Sequence, residues 1–232
     1  MRSSVPVRDF AFAFEVVPPE RRRRIGDAPP CGSVRLCDEH GSSEYIEVPA
    51  SVARLMARKQ RAGEFAPTSR ADLLRLTRSM SRTAASGRIA QLVTRRDYAS
   101  KELLDKLVSE GFDRQTVTDA VARAADAGLV SDARFADVFV RSKVNAGWGI
   151  GRIERELERR GIDITTLEGW PHEYLDPDDE MTRAMDVASR KTVRDPHARE
   201  KLARFLVGRG FSYGIALEAA KRTLERRQDD EP

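Results

Sequence analysis

The sequence predicts a mainly α-helical protein: a tandem array of three three-helix repeats, preceded by a small N-terminal β-hairpin and helix. Three observations predict it. From about Ala71 onward the apolar residues recur at helical spacing. The chain also aligns with itself on Gly111, Gly161 and Gly210. Finally, 34% charged residues beside 6% aromatic and 40% hydrophobic residues suit an elongated helical protein better than a compact enzyme.

The elements follow in chain order. Residues 1–32 combine Pro18-Pro19, the run Arg21–Arg24 and Pro29-Pro30, and read as a mobile basic arm. Residues 33–70 form a hairpin, a helix and a linker. Val34 and Leu36 alternate with polar neighbours, Gly41-Ser42-Ser43 supplies turn residues, and Tyr45, Ile46 and Val48 resume the apolar signal. Pro49 then opens a short basic helix, Ala50 to Arg61, which stops at Gly63.

The repeats are expected over 71–128, 129–176 and 177–227, with an acidic tail at 228–232. Four residues before the aligned glycines stand Leu107, Leu157 and Leu206, and eight before stand Leu103, Ile153 and Leu202. These mark one helical face. Each glycine then suits the left-handed position that ends a helix, and Phe112, Ile162 or Phe211 folds back over the end. Asp113, Asp163 and Ser212 are placed to cap a following helix. The helix before each pair is expected at 84–96, 132–146 and 179–193, and Asp195-Pro196 is expected to open the middle helix of the third repeat. Such units bury their apolar faces only by stacking, so a long, gently curved array with a groove or ridge is expected. That shape favours a macromolecular partner.

Charge points the same way. Residues 51–96 carry eleven Lys or Arg against two acids, Glu64 and Asp72, while 163–180 carry seven acids and no Lys or Arg. Basic stretches of this kind suggest nucleic acid or nucleoprotein, although solvated helix faces account for part of them. Two cysteines make no disulfide framework. The run Phe10–Phe14 is too short for a signal peptide, and nothing approaches the length of a membrane span, so a cytoplasmic protein is expected.

Two stretches are more specific than the period. One is Gly128-Leu-Val-Ser-Asp-Ala-Arg-Phe-Ala136, running on to Phe139-Val-Arg-Ser142. The other is Gly147-Trp-Gly-Ile-Gly-Arg-Ile153, running on to Glu156-Leu157 and Arg160-Gly-Ile162. Together they resemble the signature of the RecX family of regulators. Leu92–Leu103, where a basic pair precedes a Ser-x-x-Leu helix start, resembles the family's first unit. The resemblance covers about residues 84–227, with a weaker likeness at 33–63. Val130-Ser131 departs from the usual Leu-Asp, and the third unit matches by pattern more than by motif. The resemblance implies a non-enzymatic partner of the RecA recombinase. Similar proteins lie along the groove of the RecA–DNA filament, limit its growth, and damp its ATPase, strand-exchange and repressor-cleavage activities.

The candidate interface residues are cations. Arg134, Arg141 and Lys143 lie on the first helix of the middle repeat, and Arg152, Arg155 and Arg159 share a face of the next at i, i+3, i+7 spacing. Glu154, Glu156 and Glu158 interleave with them, so a solvated face with a Glu156–Arg160 pair is the alternative. Arg95, Arg96 and Lys101 flank the first repeat's second helix, and Arg199, Lys201, Arg204 and Arg209 make the third repeat basic. Trp148 either anchors a partner or packs on its own repeat. Phe135 and Phe139 read as core.

No cofactor, metal or catalytic group is expected. Cys31-x5-Cys37-x2-His40 lacks a clear fourth ligand. Gly147, Gly149 and Gly151 follow no strand and precede no Gly-Lys-Ser/Thr, so they form a bend between helices. The acids Asp178-Asp179-Glu180 suit a helix N-terminus. Besides a filament modulator, a non-specific DNA-binding repeat protein and a scaffold for another protein remain open. Asn145 is the only Asn in the chain, which disfavours direct base readout. Single- or double-stranded DNA would be met through phosphates, with high salt abolishing that contact. A monomer is expected.

Overall fold

The computed structural model of the chain describes residues 13–19, 31–37, 43–176, 179–193 and 196–229. Three strands come first: β1 Ala13–Val17, β2 Cys31–Cys37 and β3 Ser43–Pro49. Nine α-helices follow among the described residues: α1 Ala50–Arg61, α2 Arg70–Val93, α3 Ser100–Ser109, α4 Arg114–Asp126, α5 Asp132–Asn145, α6 Ile150–Arg159, α7 Glu180–Ser189, α8 Ala198–Arg209 and α9 Tyr213–Asp229. The mainly helical class with a small antiparallel sheet stands as expected.

The N-terminal element is larger than a hairpin. The sheet has order β1-β2-β3, with Val16 opposite Val34 and Val34 opposite Ile46. Part of the stretch read as a mobile arm is therefore a strand, and β2 begins at Cys31, inside that stretch. The prolines and the arginine run masked a period-2 signal in which Val16 points inward and Glu15 outward. Helix α1 lies close against this sheet. A Cβ built on Gly32 would meet Ala53 Cβ at 2.3 Å, so only hydrogen fits there.

The chain divides into two compact units. The first contains residues 1–96 and 102–130: the sheet, α1, α2, most of α3, and α4. Helix α2 runs unbroken from Arg70, longer than the expected 84–96 helix, because Ser69 accepts a hydrogen bond from the Asp72 amide and caps it early. Arg88 grips Glu110 through two bonds of 2.9 and 2.8 Å, tying α2 to the end of α3.

The second unit contains residues 97–101 and 131–232. Two apolar clusters occupy it. Around α5 and α6, Phe135, Val140, Ile153, Leu157 and Ile162 pack with Leu167 and Leu175. Around α7, α8 and α9, Ala184, Leu202, Leu206 and Phe211 pack with Ala216, Ala219 and Ala220. The stripe read by self-alignment is core throughout: Leu103, Leu107, Ile153, Leu157, Leu202 and Leu206 are all 0% exposed. Each contributes about 1.5–3 kcal/mol by leaving water.

The glycine ends share one geometry. Gly111, Gly161 and Gly210 have φ of +90°, +74° and +97°. The following amides, of Phe112, Ile162 and Phe211, reach back to the carbonyls of Leu107, Leu157 and Leu206 at 3.1, 3.0 and 3.2 Å. Asp113 and Ser212 then cap α4 and α9. Asp163 bonds the Thr165 amide at 2.9 Å, but only a 3-10 turn, Ile164–Thr166, follows. The β-branched Ile164, Thr165 and Thr166, then Gly169 and Pro171, disfavour a longer helix. Asp195 lies outside the described residues, and α8 starts after His197. Helix α7 ends at Ser189, short of the expected 193.

Candidate nucleoprotein interface

The bend between α5 and α6 is the best-defined feature of the second unit. Gly147 (φ +73°) closes α5, with the Trp148 amide bonded to the Lys143 carbonyl at 3.0 Å. The Gly149 amide then donates to the Arg209 carbonyl at 2.9 Å. A Cβ at Gly149 would stand 2.4 Å from the Gly210 carbonyl carbon, so two helix-joining turns touch backbone to backbone. These glycines form the bend between helices that the sequence predicts, and Gly149 further permits a close backbone approach to Gly210 that the sequence did not announce.

Three arginines clasp this joint. Arg152 donates to the Gly208 carbonyl at 3.3 Å, Arg209 to the Ala146 carbonyl at 3.1 Å, and Arg183 to the Trp148 carbonyl at 2.8 Å. Arg152 and Arg209 thus cross in opposite directions, each binding the end of a helix on the other repeat, where carbonyls lack intrahelical partners. Trp148 is half-buried. Its ring meets Phe139 edge-on at 6.2 Å, with the Arg152 guanidinium at 3.8 Å and the Lys143 ammonium at 5.1 Å. Trp148 thus packs against its own repeat.

The remaining candidates divide by partner. Arg134 pairs with Asp97 at 2.9 Å, and Arg141 with Asp137 at 3.0 Å, its guanidinium 4.8 Å from the Tyr174 ring. Asp137 also accepts the Tyr174 hydroxyl at 2.8 Å, and that bond holds its carboxyl below the usual range. Arg159 and Arg160 both bind Glu156, at 2.7 and 2.8 Å. The Arg159 hydrogen bond, with help from Arg160, drives the Glu156 carboxyl down to about 2. The i, i+4 pair read from sequence forms, and Arg159 joins it. Arg96 grips Glu102 through two bonds. The Lys101 stem lies where a Cβ on Gly161 would stand, 3.0 Å away.

Of the cations named from sequence, Arg95, Arg155, Arg199 and Arg204 are exposed with no ion pair among the described residues, the last bonded to the Glu200 carbonyl at 3.4 Å. Lys201 is exposed beside them on α8. The shared face of Arg152, Arg155 and Arg159 is therefore divided. Arg152 turns to the joint, Arg159 is held by Glu156, and Arg155 faces solvent.

Residues the sequence reading passed over complete the picture. A cavity of about 290 Å³ opens beside the joint, lined by Gly147, Val187, Arg190, Lys191, Phe205 and Arg209. Arg190 and Lys191 follow the end of α7, and Phe205 belongs to α8, so the set is contiguous only in the fold. Among the described residues no three His, Cys, Asp or Glu side chains gather as a metal site. His40 and Asp178, considered above, lie outside those residues. No helix of the described residues is long and apolar enough to cross a membrane.

Known proteins are similar to this chain. A family profile described as the second three-helix domain of RecX matches residues 131–168, the segment of α5, the glycine bend and α6. Proteins named regulatory protein RecX are similar over much of their length. The one from Chromohalobacter salexigens is 37% identical over 124 residues, 53% of this chain and 82% of the relative. The one from Legionella pneumophila is 30% identical over 143 residues, covering 60% and 94%. The crystal structure of RecX from Lactobacillus salivarius superposes on 62% of this chain and 97% of its own, with a TM-score of 0.50 and 21% identity. A second crystal structure of regulatory protein RecX covers 88% and 96%, with a TM-score of 0.53 at 15% identity, a likeness of fold. With the glycine-stopped repeats, the Phe135–Phe139 core face and the bend all in place, this chain belongs to the RecX family of regulatory proteins.

Proposed function

We propose that the protein binds the RecA–DNA filament and restrains it, acting as a non-enzymatic monomer in the cytoplasm. Restraint would fall on filament growth, and through it on ATP turnover, strand exchange and repressor cleavage. The observation that carries the reading is the match across most of the length of proteins named regulatory protein RecX. The distribution of charge supports it physically. Arg155, Arg199 and Arg204 stand exposed on α6 and α8, and long cations on a fixed scaffold meet a polyanionic partner without rearranging it. Any phosphates they neutralise release counterions, which makes the affinity depend on salt.

The test is the single-stranded-DNA-dependent ATPase of the cognate RecA recombinase, titrated with this protein. Inhibition is expected well below one regulator per recombinase protomer, because few bound molecules suffice to stop growth of a filament. Unchanged ATP turnover at saturating regulator overturns the reading and leaves non-specific DNA binding, the second function considered above, in its place.

A further inference from the structure

The pocket between the end of α5, the end of α7 and α8 is basic and aromatic at once. Arg190, Lys191 and Arg209 line it, and among the described residues no carboxylate does. None of the three has an ion pair among the described residues. Among the described residues the one hydrogen bond from their side chains, Arg209 Nη1 to the Ala146 carbonyl, leaves the rest of that guanidinium free to donate. The Phe205 ring is half-buried in the wall, with the Lys191 ammonium 5.6 Å and the Arg209 guanidinium 5.2 Å from its centroid.

We propose that this pocket takes one nucleotide of single-stranded nucleic acid, its base stacked beside Phe205 and its phosphate held by Arg190, Lys191 and Arg209. Aromatic faces beside cations are how single strands are bound without regard to sequence, because every base has a π-face and every linkage a charge. A volume of about 290 Å³ lies at the low end of small-molecule sites, which suits one splayed-out nucleotide and excludes a duplex. A base within a duplex is stacked on its neighbours and cannot reach the ring. Exposed Lys201 and Arg204 continue the basic surface along α8 and offer contacts to adjoining phosphates. The pocket is a property of this chain alone, and the recombinase is not needed to reveal it.

The experiment is fluorescence anisotropy of the full chain with a labelled oligothymidylate of about twenty nucleotides, beside a duplex of the same length, and with no recombinase present. Arg190→Gln with Lys191→Gln should weaken single-strand binding and lower the log-affinity against log-salt slope by about 0.7, the worth of the one phosphate they hold. Phe205→Leu should weaken the single strand at least about fivefold and leave duplex affinity within about twofold. Circular dichroism checks that the variants fold, and the surface charge pair decides the matter if Phe205→Leu does not. Both variants binding like the parent overturns the proposal, as does an equal loss on single strand and duplex for Phe205→Leu. So does retention of oligonucleotide binding with loss of affinity for a glutamate-rich peptide, which would make the pocket a site for an acidic protein segment. Failure here leaves the ATPase titration untouched, so the two readings fail separately.

Discussion

Arg152 and Arg155 lie three residues apart on α6 and do different work. Arg152 binds the Gly208 carbonyl and covers the Trp148 ring, whereas Arg155 reaches solvent. Arg152→Gln should lower stability by about 1 kcal/mol, the sum of a part-exposed charged hydrogen bond and a cation–π contact, and should alter tryptophan emission. Arg155→Gln should leave thermal unfolding unchanged and instead weaken inhibition of the recombinase. Denaturation curves and the ATPase titration read the two effects. Glu156 supplies a pH handle. Its carboxyl ionises near 2 when folded, against an ordinary value of 4.5, so its contribution is complete above the unfolded value and is lost as pH falls from there toward 2. Glu156→Gln should therefore destabilise the protein at pH 7, and melting temperatures of parent and variant should converge between pH 4.5 and the acid limit of folding. A constant gap across that range would show that the Glu156 charge is not coupled to folding.

At the scale of elements, the glycine stops differ in what surrounds them. Gly128 (φ +69°) has nothing within 4 Å of a built Cβ, so Gly128→Ala costs only the left-handed backbone strain, about 1–2 kcal/mol. At Gly210 (φ +97°) the same Cβ would fall 2.5 Å from the Arg152 amide nitrogen, and backbone cannot yield as a side-chain tip can. Gly210→Ala should cost at least twice as much as Gly128→Ala in urea denaturation followed by circular dichroism; equal costs would mean that the joint is looser than drawn. The stops themselves were legible in sequence, because a left-handed helix end selects glycine and its fold-back contact selects a large apolar residue. The strand β1 was not, since four consecutive arginines and paired prolines between β1 and β2 outweighed five alternating residues. Nor was the loss of the second repeat's third helix, where Asp163 announces a cap but the β-branched residues behind it sustain only one tight turn.

At the scale of the molecule, the period and the composition were enough to read a helical array. The assignment of individual cations was not within reach. Arg152, Arg183 and Arg209 all terminate on backbone carbonyls, and a carbonyl has no letter in the sequence. Arg190, Lys191 and Phe205 come together across two helices whose packing depends on alanines at 184, 188 and 203, which read as background in a one-dimensional scan. The backbone-to-backbone joint at Gly149 and Gly210 has a last consequence. Two turns welded through their main chains hold α6 and α8 at one fixed spacing, as teeth are held on a rack. A rack engages only a counterpart cut to the same pitch, and a partner whose charges recur at another interval meets the first tooth and misses the rest. Discrimination of one polymer from another can then arise from spacing alone, with no single contact that is selective.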